Sequence, residues 1–241
     1  MLEAVLFDWG DTLFHFAYED ELLEAGWTAG LDALGRDDLP EPAVAATRFR
    51  EAYLPLLVGS DSLDELEYPG VIREVLAGFG VEPTDDELGR FLSAEHAVWR
   101  PARQLGAHTH SLLDALRERG LKVGLVSNAF DPEWLLREDL EAMGLAERLD
   151  TAVFSSVVGK RKPHPQIFEQ ALSDLDVAAE RTLFVGDSRR ADVGGADALG
   201  MQTVQAFWFR ADPDDGEPKP DWEAFTPMDV LNVVRRLTGE S

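Results

Sequence analysis

Two hydrophobic rhythms divide the chain. Between residues 15 and 100, apolar side chains return every three or four positions, the period of a helix with one buried face. Glu21 to Gly35 carries Leu22, Leu23, Trp27, Leu31 and Leu34 at that spacing, and Gly35 marks its end. Pro42 to about Leu57 repeats the pattern with Val44, Phe49, Tyr53 and Leu57, and Pro55 is expected to kink or end that helix. Leu63 to Phe79, punctuated by Pro69-Gly70, and a segment from the capping sequence Thr84-Asp85-Asp86-Glu87 through Trp99 complete the block. No strand pattern interrupts it.

Outside that block the rhythm is that of strands alternating with helices. Ala4, Val5, Leu6 and Phe7 are apolar on both faces, as suits a strand in the middle of a parallel sheet, and the run stops at Asp8. From Pro101 the predicted order is a helix over Ser111–Arg119, a strand over Lys122–Val126, a helix over Pro132–Met143 and a strand over Thr151–Phe154. A polar loop over Val158–Pro165, a helix over Gln166–Leu175, a strand over Arg181–Val185, a helix from Asp192 to Gly200 and a strand over Met201–Phe207 follow. Asp212 to Pro220 reads as an exposed loop, and Met228 to Leu237 as a closing amphipathic helix. These alternations predict an α/β fold with a doubly wound parallel sheet. Its core would comprise residues 1–14 and 101–241, with residues 15–100 inserted as an all-helical second domain.

Composition narrows the chemistry. The chain has no cysteine, which excludes disulfides, zinc–thiolate sites and thiol catalysis. A formal charge of -24 argues against nucleic acid or an anionic membrane as partner, because both demand basic surface. It also means that an anionic substrate needs a local cation, and the only lysines are Lys122, Lys160, Lys162 and Lys219. No apolar run approaches the length of a membrane span, and the chain enters a strand at once, so a cytoplasmic protein is expected. Nothing in the pattern selects between a monomer and a homodimer.

In a parallel sheet the carboxyl ends of the strands converge on one edge, where ligands bind. Here those ends carry Asp8 and Thr12, then Ser127 and Asn128, then Lys162, then Asp187 and Asp192. Carboxylates, a hydroxyl and an ammonium in one crevice suit a hard oxygen-liganded cation and a phosphate. Together Asp8-Trp-Gly-Asp-Thr-Leu, Val123-Gly-Leu-Val-Ser-Asn, Lys162-Pro163 and Gly186-Asp-Ser-Arg-Arg-Ala-Asp192 resemble the four motifs of the haloacid dehalogenase-like hydrolases, and the helical block resembles that superfamily's inserted cap. The resemblance implies that Asp8 attacks phosphorus and forms an aspartyl-phosphate. It implies Mg²⁺ bound by Asp8, the Gly10 carbonyl, Asp187 and Asp192, with Ser127 and Lys162 on the phosphate and Thr12 and Asn128 orienting the set. The substrate would be a small phosphorylated metabolite.

One position departs from the pattern. The superfamily's phosphatases carry a second acid two residues after the nucleophile, which protonates the leaving oxygen; here that position is Gly10, and an acid stands one place later, at Asp11. Loss of a general acid/base lowers a rate by roughly 10² to 10⁴. The expectation is therefore a slow phosphohydrolase. A non-catalytic phosphate and Mg²⁺ binder and a 2-haloacid dehalogenase-like hydrolase are the alternatives. A Schiff-base chemistry of the phosphonoacetaldehyde hydrolase kind is disfavoured, since residues 14–105 contain no lysine. Trp27, Arg48, Arg50, Tyr53, Trp99 and Arg103 are the candidates for contacts from the helical block.

Overall fold

The computed structural model describes residues 1–58, 61–209 and 217–239. Most of the loop expected over Asp212–Pro220, and the side chain of Leu57, lie outside the described residues. The main sheet is built from β1 (Ala4–Phe7), β4 (Lys122–Ser127), β5 (Thr151–Phe154), β6 (Thr182–Gly186), β7 (Gln202–Ala206) and β8 (Trp222–Ala224). Its order is β5-β4-β1-β6-β7-β8, and every pairing is parallel. β1 is the central strand, in register with β4 on one side and β6 on the other.

All four residues of β1 are buried, and they alternate between layers. Val5 and Phe7 join the core beneath α6 (Thr109–Glu118), α7 (Glu133–Ala142) and α11 (Asp229–Thr238). Ala4 and Leu6 join the opposite core beneath α9 (Pro165–Leu175) and α10 (Gly194–Asp197). Side chains of successive strand residues point to opposite faces, so an uninterrupted apolar run is what a strand covered on both faces requires.

Between β2 (Phe14–Phe16) and β3 (Arg103–Leu105), which pair antiparallel, lie α1 (Asp20–Leu34), α2 (Pro42–Ala52), α3 (Leu54–Val58), α4 (Tyr68–Ala77) and α5 (Asp85–Trp99). Local chemistry sets their ends. Gly35 takes φ 67° after α1, and Thr84 and Glu87 close a reciprocal capping box on α5. The break between α2 and α3 falls at Tyr53, ahead of Pro55, and α4 begins only at Tyr68, with Pro69 in its first turn. Trp27, Ile72, Val75, Leu76, Val81 and Phe91 form a separate apolar core for these helices. Val44 is an exception to the expected face: it is 53 % exposed, and Ala45, Ala46 and Phe49 carry the burial of α2. Two short features differ from the sequence reading. The β2–β3 ribbon ties the two ends of the helical block together, and β8 adds a sixth strand.

A buried polar cluster joins the helical layer to the sheet layer. His96 of α5 is fully buried, with Nε2 2.8 Å from Asp139 Oδ2 and Nδ1 3.2 Å from Asp131 Oδ1. Arg100 Nε donates to the other Asp139 oxygen at 2.9 Å, and Arg103 lies 3.2 Å from the same carboxylate. Burial alone would lower the His96 value, but hydrogen bonds to the Asp131 and Asp139 carboxylates outweigh it and raise the imidazole from 6.5 to about 9. A group raised in the folded state stabilises fully below its unfolded value and stops doing so as pH rises through its folded one. Stability is therefore expected to fall by about 3 kcal/mol between about pH 6.5 and pH 9 through this residue. Urea unfolding across that range should show the slope in the wild type and lose it in His96→Gln; the same slope in both would contradict this origin.

Candidate active site

Asp8 leaves the end of β1 at the carboxyl edge of the sheet and is 7 % exposed. Its neighbour is Lys162, whose Nζ donates to Asp8 Oδ1 at 2.5 Å and to Asp192 Oδ1 at 2.6 Å. The ammonium also stands 5.6 Å from the Phe184 ring centroid. Asn128, just past β4, fixes the lysine from behind: its Oδ1 accepts from the Lys162 main-chain N at 2.7 Å, and its Nδ2 donates to the Lys162 carbonyl at 3.2 Å. Its side chain thus serves the backbone that presents the ammonium.

Asp187 follows β6, and Asp192 sits in the turn Arg189–Val193 that starts the next helix. Asp192 Oδ2 accepts from the Ser188 N–H at 3.0 Å. This fold-back requires glycine at position 186, where a Cβ would fall 2.4 Å from the Asp192 carboxyl carbon. The result is a buried triad, Asp8, Asp187 and Asp192, with one oxygen from each within 4.8 Å of the others.

Three carboxylates facing one ammonium leave negative charge unbalanced. Burial pushes the Asp8 carboxyl up from its ordinary value, Lys162 pulls it down, and Asp187 adds repulsion. Asp192 is pushed up by burial and by Asp8 against the same lysine. Lys162, which burial alone would lower, is held above its ordinary value by Asp192 and Asp8. Buried carboxylates raised in this way are short of positive charge, and clustered hard oxygens match a small divalent cation. The donor set fits such an ion.

Ser127 ends β4 and is buried. Thr12 is also buried; its carbonyl accepts from Trp208 Nε1 at 2.8 Å, and its hydroxyl has no hydrogen-bond partner among the described residues. Gly10 lies in the turn between β1 and β2, where a Cβ would meet only the Phe14 ring, at 3.8 Å. Asp11 adopts φ 54°, and its Oδ1 is 2.9 Å from His15 Nδ1 and accepts from Phe16 N at 3.4 Å. That carboxylate is committed to β2.

The helical layer brings residues that the sequence pattern did not single out. A cavity of about 140 Å³ opens beside Lys162 and Asn128, closed by Asp61 and Leu63 from one side and by Arg161 and Arg190 from the other. The segment from Asp61 to Glu65 is docked there by charge and by main chain. Arg190 Nη1 donates to Asp61 Oδ1 at 2.6 Å, Lys160 pairs with Asp64, and Arg161 Nε lies 3.6 Å from Glu65 Oε2. The Arg161 N–H donates to the Leu63 carbonyl at 2.8 Å and the Glu65 N–H to the Gly159 carbonyl at 3.1 Å. The acidic run facing a basic run was the available signal.

Of the contact candidates in the helical block, Trp27 is fully buried among Phe49 and Phe91, and Arg48 lies over the Phe79 ring at 5.5 Å. Trp99 and Arg103 face a second cavity. His110 sits in the first turn of α6, with Nε2 2.7 Å from the Met143 carbonyl oxygen.

The chain has matches among known proteins. The family model for haloacid dehalogenase-like hydrolases matches residues 2–200. The chain belongs to the haloacid dehalogenase-like hydrolases. A relative named glyceraldehyde 3-phosphate phosphatase from Methanopyrus kandleri is 29% identical over all of both chains. A phosphoserine phosphatase from Thermus thermophilus is 32% identical over 91% of this chain and 75% of its own. The crystal structure of a 2-haloacid dehalogenase from Pseudomonas syringae superposes with a TM-score of 0.68 at 21% identity, covering 98% of this chain and 100% of that one, which shows the shared fold. This haloacid dehalogenase-like hydrolase therefore presents its strand-end acids on the family's sheet. Among its described residues no helix is long and apolar enough to cross a membrane.

Proposed function

We propose that the protein is a Mg²⁺-dependent phosphohydrolase acting on a small phosphate monoester. The observation that carries the reading is the buried set in which Lys162 bridges Asp8 and Asp192 while Asp187 completes an oxygen triad. The phosphatase names of relatives that match the chain over most of its length support it.

Asp8, Asp187, Asp192 and the Gly10 carbonyl would hold the ion, which when bound neutralises phosphate charge and polarises the phosphorus centre. An Asp8 carboxylate oxygen attacks phosphorus; the bond to the ester oxygen breaks, and that oxygen leaves with the bonding pair. Lys162 keeps Asp8 ionised and in place, and with Ser127 it holds the phosphate oxygens. Thr12 and Asn128 orient these groups. A proton from water completes the alcohol, because Gly10 offers no acid. Water then attacks the aspartyl-phosphate, releasing inorganic phosphate and regenerating Asp8. The helices between residues 15 and 100 act as a cap over this edge.

Phosphate release from a panel of monoesters should require Mg²⁺, fall at least tenfold on chelation, and return when Mg²⁺ is restored. Silence across the panel with Mg²⁺ still bound would instead support a second reading, a phosphate and Mg²⁺ binder without turnover, which Gly10 favours. Metal-independent halide release from 2-haloacids would support the dehalogenase-like alternative, in which the Asp187 carboxylate has no part in the chemistry.

A further inference from the structure

A second cavity, about 130 Å³, lies where the helical layer meets the sheet layer. Rings of Phe16, Phe49, Tyr68, Trp99 and Phe130 line it. Tyr68 and Phe130 are 5.0 Å apart, and Phe16 and Trp99 6.0 Å, so the wall is largely aromatic face and edge. Phe130 stands two residues beyond Asn128, which clamps Lys162, so one short segment carries a residue of this wall and a residue that holds the lysine.

The charges around the cavity do not balance evenly. Arg103 and Asp131 also line it, but they are turned on each other and on the His96–Asp139 pair: Arg103 lies 3.6 Å from Asp131 and 3.2 Å from Asp139, while Asp131 lies 3.2 Å from His96. Glu95 is different. It is 3 % exposed, its Oε1 accepts from Trp99 Nε1 at 2.6 Å, and its other contact is the Tyr68 hydroxyl. Both partners are neutral donors, and among the described residues no cation forms a salt bridge with it, although the charges of His96 and Arg103 act on it from farther off. Burial, reinforced by Asp131, pushes its carboxyl up to about 7 against the Trp99 hydrogen bond and the charges of His96 and Arg103, which draw it down. A carboxylate kept from water, hydrogen-bonded only to neutral donors and still raised despite distant cations, is stabilised by a cation brought in by a ligand.

We infer that this cavity receives an alkylammonium group, and that the substrate is the phosphate monoester of an amino alcohol or of its N-methylated form. Aromatic rings around a buried carboxylate are the chemistry that recognises such cations, through ring quadrupoles and one opposite charge. A cavity of about 150 Å³ accommodates benzene, so the present volume suits a compact ammonium head. Glu95 and Phe130 are then specificity residues. This inference rests on the phosphohydrolase reading for the fate of the phosphate, whereas the cavity's own preference is measurable without turnover.

The test compares choline with its uncharged carbon isostere, 3,3-dimethylbutan-1-ol, by isothermal titration into the full chain, alongside turnover of the two corresponding phosphates with Mg²⁺. Choline should bind at least tenfold more tightly than the isostere, and Glu95→Gln should remove that difference. Phe130→Leu, which keeps Glu95, should reduce the choline preference severalfold and covers the case in which the Glu95 variant fails to fold. Equal binding of the two alcohols, or binding of neither, overturns the inference even if other monoesters are hydrolysed. Selective choline binding without turnover of any monoester upholds the cavity's preference and overturns the phosphohydrolase reading.

Discussion

Asp8→Asn is expected to abolish phosphate release, by at least about 10⁴ in kcat/KM, while leaving the fold as stable as before or more so. Both halves follow from the same geometry. The amide cannot form the acyl-phosphate, so the covalent route closes. The wild-type carboxylate is also an uncomfortable group: burial raises it, and Asp187 repels it. Replacing it with a neutral isostere relieves that repulsion, and Lys162 keeps Asp192 at 2.6 Å as its counter-charge. Steady-state kinetics on the best panel substrate, with thermal melts of both proteins, test the pair of statements. Retention of more than about one hundredth of the activity would remove Asp8 from the nucleophile's role.

Gly10→Asp is expected to raise kcat by about 10² or more, because a positioned acid/base is worth roughly 10² to 10⁴. The backbone admits it. Gly10 is not among the residues with positive φ, and a Cβ there meets only the Phe14 ring, at 3.8 Å. Asp11 does not fill the role in the wild type, since its carboxylate is held by His15 and Phe16. Burst kinetics with an aryl phosphate, whose leaving group needs no proton, separate the two half-reactions. The gain should be larger for an alkyl phosphate. An unchanged or lower rate on both would mean that the native chemistry draws its proton from another group.

The sheet and its catalytic edge were legible because their determinants are local: an apolar run that stops at Asp8, another at Ser127-Asn128, another at Gly186-Asp187. Each strand end announces itself within a few residues, and a parallel sheet then gathers the ends. The helical block was legible from its 3.6-residue period and the Thr84–Glu87 cap. What escaped depends on long-range encounters. His96 meets Asp139 across 43 positions, and nothing around either residue foretells the other. Ser155 and Glu65 meet across 90 positions, at 2.5 Å. β8 and the β2–β3 ribbon are three residues per strand, too short for alternation to stand out. Val44 misled because it fits a helical stripe, yet the small Ala45 and Ala46 lie against α1 instead.

The central place of β1 has a consequence for the order of events at the ribosome. The strand that bears Asp8 is made first, but its two neighbours, β4 and β6, begin at residues 122 and 182. The helices between β2 and β3 bury most of their apolar side chains among themselves, so that block has the local contacts to consolidate while β1 is still without a sheet. A nascent chain stalled ahead of Gly186 would therefore display Asp8 with neither Asp187 nor Asp192. On the proposed mechanism, hydrolytic competence waits until residues 186–192 have been made, and shorter nascent chains stay chemically silent.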